Sequence, residues 1–193
     1  MPTLGAANNI APGRGQGMLM RTAEPERTAP LAGAALAIAA VGLATMLGAY
    51  YFQYVLHYQP CPLCLEQRIP YYVGIPLALV LALAAKFAAP RPVLIAGFAA
   101  LALALAIGAM LAAYHAGVEW HFWAGPHECS GDPNFGRSGS LLEQLNTVIV
   151  VRCDEAAWRL FGVSLAGYNA VISAVLGCIA LWGLRAALHR RTG

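Results

Sequence analysis

The sequence predicts an all-α integral membrane protein: a four-helix bundle with two loops on one side and both termini on the other. Three observations carry this expectation. Of 193 residues, 59% are hydrophobic and only 11% charged, with a mean hydropathy of +0.60, far too apolar for an ordinary soluble domain. Four apolar runs are long enough, or nearly so, to cross ~30 Å of hydrocarbon at ~1.5 Å per residue. Basic residues are also divided unequally between the segments that join those runs.

The runs cover residues 31–52, 69–85, 93–113 and 161–184. The second is the shortest and contains Pro70 and Pro76, which a membrane helix tolerates when neighbours satisfy the freed carbonyls. Counting it as a span keeps Lys86 and Arg91 away from the side that holds the cysteine-bearing loops. Residues 1–30, rich in Gly, Pro, Ala and Arg, read as a disordered tail. The run that follows is too long for a signal h-region and no clear cleavage site ends it, so a retained signal anchor is expected. A basic tail is expected at 186–193.

With four spans, one side holds Arg14, Arg21, Arg27, Lys86, Arg91, Arg185, Arg190 and Arg191. The other side, the loops at 53–68 and 114–160, holds Arg68, Arg137, Arg152 and Arg159. This bias places both termini in the cytoplasm and the two loops outside. The net charge of +3 follows from that orientation and gives no sign of nucleic-acid binding.

The cysteines sort by this topology. Cys61 and Cys64 fall in the first outward loop, Cys129 and Cys153 in the second, and Cys178 within the fourth span. Two pairs facing an oxidising compartment read first as disulfides. Taken alone, Cys129 and Cys153 are a staple, closing about 24 residues and stabilising the fold by ~3 kcal/mol. Cys178, among Gly177, Ile179 and Ala180, reads as a small buried apolar residue.

The CxxC of Cys61 and Cys64 is different. So small a ring gains little loop entropy, and the spacing recurs where a bond must open and close. Zinc is the rival, with His57, His115, His121 or His127 as further ligands, but zinc sites pair two such motifs or a close His pair. No metal is expected. If the second span starts near Cys64, its sulfur lies in the first helical turn, where free amides and the helix dipole favour a thiolate. Arg68, four residues on, shares that face and would stabilise the anion. The bland alternative is that Arg68 snorkels to the headgroups. Glu66 and Gln67 read as interfacial polar residues.

In the second loop, Leu141, Leu142, Leu145, Val148 and Ile149 recur at helical spacing, as a helix lying on the outer leaflet or packed against the bundle. Trp120, Phe122, Trp123 and Trp158 suit an interfacial aromatic belt. His115, Glu119 and His121, at the outer end of the third span, read as interfacial hydrogen-bonding groups ahead of a role in proton movement.

The order of span, CxxC with Arg four residues after its second cysteine, two spans, a long loop with two cysteines and a last span resembles the DsbB-type disulfide bond formation proteins of bacterial inner membranes. The local words agree: QPCPLCLEQR at 59–68, YHAGVEW at 114–120, WAGPHEC at 123–129 and CDEAAWRLFGVSLAGYN at 153–169. The resemblance covers residues 31–185. The vitamin K epoxide reductase family also joins a CxxC to loop cysteines, but there the loop pair comes first.

The resemblance implies a membrane thiol oxidase that re-oxidises a periplasmic DsbA-type dithiol protein and passes electrons to ubiquinone or menaquinone. It implies catalytic roles for Cys61, Cys64, Cys129 and Cys153, with disulfides between Cys61 and Cys64 and between Cys129 and Cys153. Cys129 is attacked by the partner, Cys153 exchanges with Cys61, and Cys64 meets the quinone beside Arg68. A disulfide-braced structural or assembly protein without turnover is the alternative. A transporter has little support, since the spans carry almost no buried charge.

Overall fold

The computed structural model describes residues 14–126, 149–150 and 152–189, with side chains described from residue 28 apart from 149 and 150. Among these residues, four helices are long and apolar enough to cross a membrane, and they form the bundle the sequence predicts. Helix α1 runs Arg14–Tyr54. It starts earlier than the expected tail boundary at residue 30, because Met18, Leu19, Met20, Arg21, Ala23 and Glu24 are good helix formers.

Helices α2, Pro62–Glu66, and α3, Ile69–Lys86, are two parts of one span. The backbone stays near-helical through Gln67 (φ −63°, ψ −16°) and Arg68 (φ −79°, ψ −25°). Pro70 has no amide to donate, and it sits in the first turn of α3, where an intrahelical partner is not required.

Helix α4, Arg91–Glu119, runs six residues past the expected end at 113. All of residues 115 to 119 are buried, so the end of this helix is wrapped by the loops and does not lie at an open interface. Helix α5, Leu165–His189, begins four residues later than expected. Ahead of it the chain makes a hairpin of β3, Arg159–Leu160, and β4, Val163–Ser164, in antiparallel register. The turn residues Phe161 (φ 49°) and Gly162 (φ 82°) both have positive φ, as a two-residue hairpin of this hand requires. Ser164 Oγ then accepts from Gly167 N at 3.1 Å, capping α5.

The loops are joined by backbone pairing. Strand β1, Tyr58–Gln59, lies parallel to β2, Ile149–Val150, in the register Tyr58 to Ile149 and Gln59 to Val150. Residues 141–148 of the expected loop helix lie outside the described residues, and Ile149 is in β2.

The bundle core contains Leu31, Ile38, Leu94, Phe98, Leu101 and Leu176. Small residues let the helices approach closely, as lipid-embedded packing requires: a Cβ added at Gly108 would meet Pro70 Cβ at 3.2 Å, and one at Gly183 would run into the Phe98 ring. At the opposite end from the cysteines, Arg91 donates from Nε to Ala187 O at 3.2 Å, and from its guanidinium to Leu188 O. These bonds satisfy carbonyls at the end of α5 that the helix itself leaves open. Leu47, Val80, Leu103 and Met110 point outward, an apolar surface suited to hydrocarbon.

Overpacking at the α4 and α5 contact should destabilise the bundle by roughly 1–3 kcal/mol. Gly183→Val is therefore expected to lower the thermal midpoint in detergent by several degrees. Gly48→Ala, where an added Cβ meets nothing within 4 Å, should leave it nearly unchanged.

Candidate functional site

The CxxC opens α2. Cys61 is extended (φ −67°, ψ 164°) and acts as N-cap: its Sγ accepts the Cys64 amide at 3.2 Å, with Pro62 following in the first turn. This meets one of the amide donors that a helix start leaves unpaired. Both sulfurs are free thiols. The expected bond between Cys61 and Cys64 is thus not formed in this structure, where a capping thiol takes its place and the pair is a dithiol. Cys61 is buried, and its hydrogen bond with the Cys64 side chain, then burial, push its thiol far above the ordinary range.

Cys153 is fully buried and disulfide-bonded. It packs with Cys61, Leu63 and Val118 in a small apolar cluster separate from the bundle core, with Cys64 against it. The sulfurs of Cys61 and Cys153 and a ring nitrogen of His115 all lie within 4.8 Å of one another. The structure therefore brings a cysteine of the second loop against the CxxC of the first. Cys129 and His127 lie outside the described residues. Cys178 is exposed on α5, which corrects the expected burial: in a membrane bundle an apolar neighbourhood does not imply an inward face.

As zinc ligands the trio is poor, since the Cys153 sulfur is already bonded and only two donors remain open where zinc takes four. His57 and His121, both at positive φ, are outside this group.

Arg68 is 8% exposed, so it does not snorkel. Its guanidinium donates to Gln53 Oε1 at 2.6 Å and lies 5.3 Å from the Tyr50 ring centroid, held by α1 through an amide and a cation–π contact. The Tyr50 hydroxyl pairs with the Tyr72 hydroxyl at 2.8 Å.

Gln67, His115 and Glu119, expected at the interface, are buried. Gln67 is 6% exposed, His115 2% and Glu119 6%. Gln67 Nε2 donates to Leu63 O at 3.2 Å and pairs with His115 Nδ1 at 2.6 Å, and its Oε1 accepts from Asn169 Nδ2 at 2.7 Å. Tyr71 donates to Asn169 Oδ1 at 2.7 Å and meets Ser173 Oγ at 2.9 Å. The chain Ser173, Tyr71, Asn169, Gln67, His115 thus links α5, α3 and α4.

This chain assigns the imidazole tautomer. The Gln67 amide nitrogen is identified by its bond to the Leu63 carbonyl, so it donates to Nδ1, and the His115 proton sits on Nε2. That nitrogen is 3.8 Å from Cys61 Sγ and 3.9 Å from Glu119 Oε1. Among the described residues, Glu119 Oε2 is a buried side-chain atom with no hydrogen-bond partner.

A cavity of about 280 Å³ runs between these groups and α1 and α5, with a mainly apolar lining that includes Phe52, Met46 and Ile172. Its polar lining includes Cys64, Gln67, Arg68, His115, Glu119 and Asn169. Apolar walls with a few convergent polar groups are the usual form of a small-molecule site. The aromatic residues lie mostly elsewhere: Trp123 stacks on Tyr114 with centroids 5.9 Å apart, and Trp158 packs against Phe52 at 5.5 Å. Their exposure fits the expected belt, although Phe52 also lines the cavity.

A family model described as disulfide bond formation protein DsbB matches residues 31–183. The chain is similar to disulfide bond formation protein B of Polaromonas naphthalenivorans, 29% identical over 76% of this chain and 87% of that protein. It is also similar to an uncharacterized protein of Rickettsia prowazekii, 23% identical over 73% of this chain and 80% of the other. A probable disulfide formation protein of Deinococcus radiodurans is 51% identical over a shorter stretch, 23% of this chain and 28% of that one. No solved structure matches.

Because its folded-state thiol is raised, Cys61 should stay neutral as pH climbs through the ordinary thiol range near ~8.5. In the dithiol protein, a water-soluble alkylating reagent at about pH 8 is expected to label Cys64 at least ~10-fold faster than Cys61. Labelling of Cys61 should still be rising above ~pH 10. Peptide mass spectrometry reads both rates, and equal labelling of the two would contradict the buried, helix-capping state of Cys61.

Proposed function

The chain belongs to the DsbB family of disulfide bond formation proteins, and from that premise we propose that this multi-pass membrane protein is a quinone-linked thiol oxidase. Its substrate is a periplasmic dithiol protein of DsbA type, its membrane the bacterial inner membrane, and its termini are cytoplasmic. The observation that carries this reading is the junction itself: Cys61 lies within 4.8 Å of Cys153 on one side, and Cys64 lines the apolar cavity on the other.

The residues fit a quinone headgroup. The cavity walls are apolar, as a lipid-soluble ring requires, while Arg68 offers a donor to a ring oxygen and Glu119 can do so when its carboxyl is protonated. When bound, a quinone supplies an acceptor for two electrons and two protons.

The chain's own residues supply the rest. The partner's thiolate attacks Cys129 of the Cys129 to Cys153 bond, and Cys153 is released. A Cys153 thiolate then attacks Cys61 Sγ of an oxidised CxxC, breaking its bond to Cys64. Burial excludes water from this exchange, since Cys61 and Cys153 are both buried. The His115 Nε2–H faces Cys61 and suits a sulfur carrying negative charge. The leaving sulfur is Cys64, which faces the cavity, and Arg68 beside it stabilises the anion. The dithiol state observed here corresponds to the reduced form of the CxxC in that cycle.

The test is optical. Purified protein in detergent with added quinone and a reduced DsbA-type dithiol is expected to form quinol stoichiometrically. Cys64→Ser should abolish this, and Arg68→Ala should raise the quinone requirement about 10-fold or more, the weight of a lost charge-assisted contact. Intact disulfides with no quinol formation would instead support a structural brace.

A further inference from the structure

The polar end of the cavity contains one group that disulfide exchange leaves unused. Glu119 ends α4 and is 6% exposed, and its Oε2 has no hydrogen-bond partner among the described residues. A buried polar atom without a partner is costly to keep, and here that atom belongs to a residue lining the cavity that holds Cys64 and Arg68. The Glu119 carboxyl has fixed neighbours on its other side. Ser164, whose Oγ already accepts from Gly167 N, interacts with it from the start of α5, and His115 Nε2 is 3.9 Å from Oε1.

His115 does not fill the same role. Its Nδ1 lone pair is taken by Gln67 and its Nε2 already carries the proton, so it enters the cluster as a donor only. Cys61, Cys64, Arg159 and His115 are the other titratable or charged groups that act on Glu119, and Arg68 shares its cavity. None of them offers an unprotonated oxygen or ring nitrogen toward the cavity.

We propose that Glu119 is the proton carrier of the cavity, taking a proton released by the cysteine cluster and giving it from Oε2 to a quinone-class acceptor. This rests on the oxidase reading above. The balance is direct. Oxidation of two thiols to a disulfide releases two electrons and two protons. The electron pair leaves through Cys64. One proton, lost as the free Cys61 thiol ionises to re-form its bond to Cys64, forms an O–H bond on the Glu119 carboxylate; that bond later breaks as the proton moves to the reduced acceptor's oxygen, and the carboxylate returns. The second proton reaches the acceptor from solvent.

The first readout needs no quinone. In quinone-stripped protein, the infrared difference spectrum between disulfide and dithiol states is expected to contain a protonated-carboxyl band that shifts in deuterated water. The band should be missing in Glu119→Gln and displaced in Glu119→Asp. In quinone-loaded protein, Glu119→Gln is expected to slow quinol formation about 100-fold at neutral pH, the usual weight of a positioned acid. Its rate should recover as pH falls, since solvent protons then replace the lost donor, while the wild type stays flat between about pH 6 and 8. Glu119→Asp should restore a flat profile, which a merely structural carboxylate would not do. Unaltered thermal midpoints would show that the variants are folded. A wild type without the band, a band that survives Glu119→Gln, or a Gln variant with the wild-type pH profile overturns the proposal. If the wild type shows the band but forms no quinol, the oxidase reading fails, and with it the quinone as acceptor.

Discussion

Burial of polar side chains at the loop end of an otherwise apolar bundle is the constraint on which the rest depends. Where water is scarce, each such group must find a partner within the protein. Gln67 meets this requirement for three helices at once, bonding Leu63 O, His115 Nδ1 and Asn169 Nδ2. Asn169 is in turn held by Tyr71, and Tyr71 by Ser173. The network fixes the orientation of α4 and α5 about the CxxC and leaves one proton position on the imidazole. In such a network each member is expensive to lose, because its removal strands the neighbours.

That arrangement places two kinds of surface on either side of the CxxC. Cys61, buried and capping α2, faces the sulfur of Cys153. Cys64 faces the cavity with Arg68. The start of this short helix therefore turns one sulfur toward the cysteine of the second loop and the other toward an apolar cavity. The parallel pairing of Tyr58–Gln59 with Ile149–Val150 adds a backbone tie between the loops, and helps account for how Cys153, distant in sequence, comes to lie on the first loop.

Much of this was legible in the sequence. Four apolar runs pointed to the bundle, and the expected second span, 69–85, covers α3, Ile69–Lys86, but leaves out α2, which continues the same span back to Pro62. The prolines around the CxxC and the spacing to Arg68 pointed to a thiol at a helix start. Other features were not legible for physical reasons. Gln67, His115 and Glu119 look interfacial by position, because hydropathy locates the ends of a span but cannot tell whether a loop folds over them. The hairpin at Arg159–Ser164 straddles the boundary between the expected loop and the apolar run that starts at residue 161, where only the Phe161 and Gly162 pair signals a turn. Cys178 was assigned inward because its neighbours are apolar, a rule that holds in water and fails where the solvent is lipid. Among the described residues the hydrogen-bond chain itself had no sequence signal beyond its separate members, since its partners are up to 102 positions apart.

The central claim is that Cys61 is the point of exchange between the two loops. It is tested most directly by mapping disulfides in a Cys64→Ser variant that has been reduced and then mildly re-oxidised. With Cys64 unable to compete, the account predicts that a Cys61 to Cys153 bond accumulates in non-reducing peptide maps. A variant in which Cys61 remains a free thiol throughout, while Cys153 bonds only to Cys129, would contradict it.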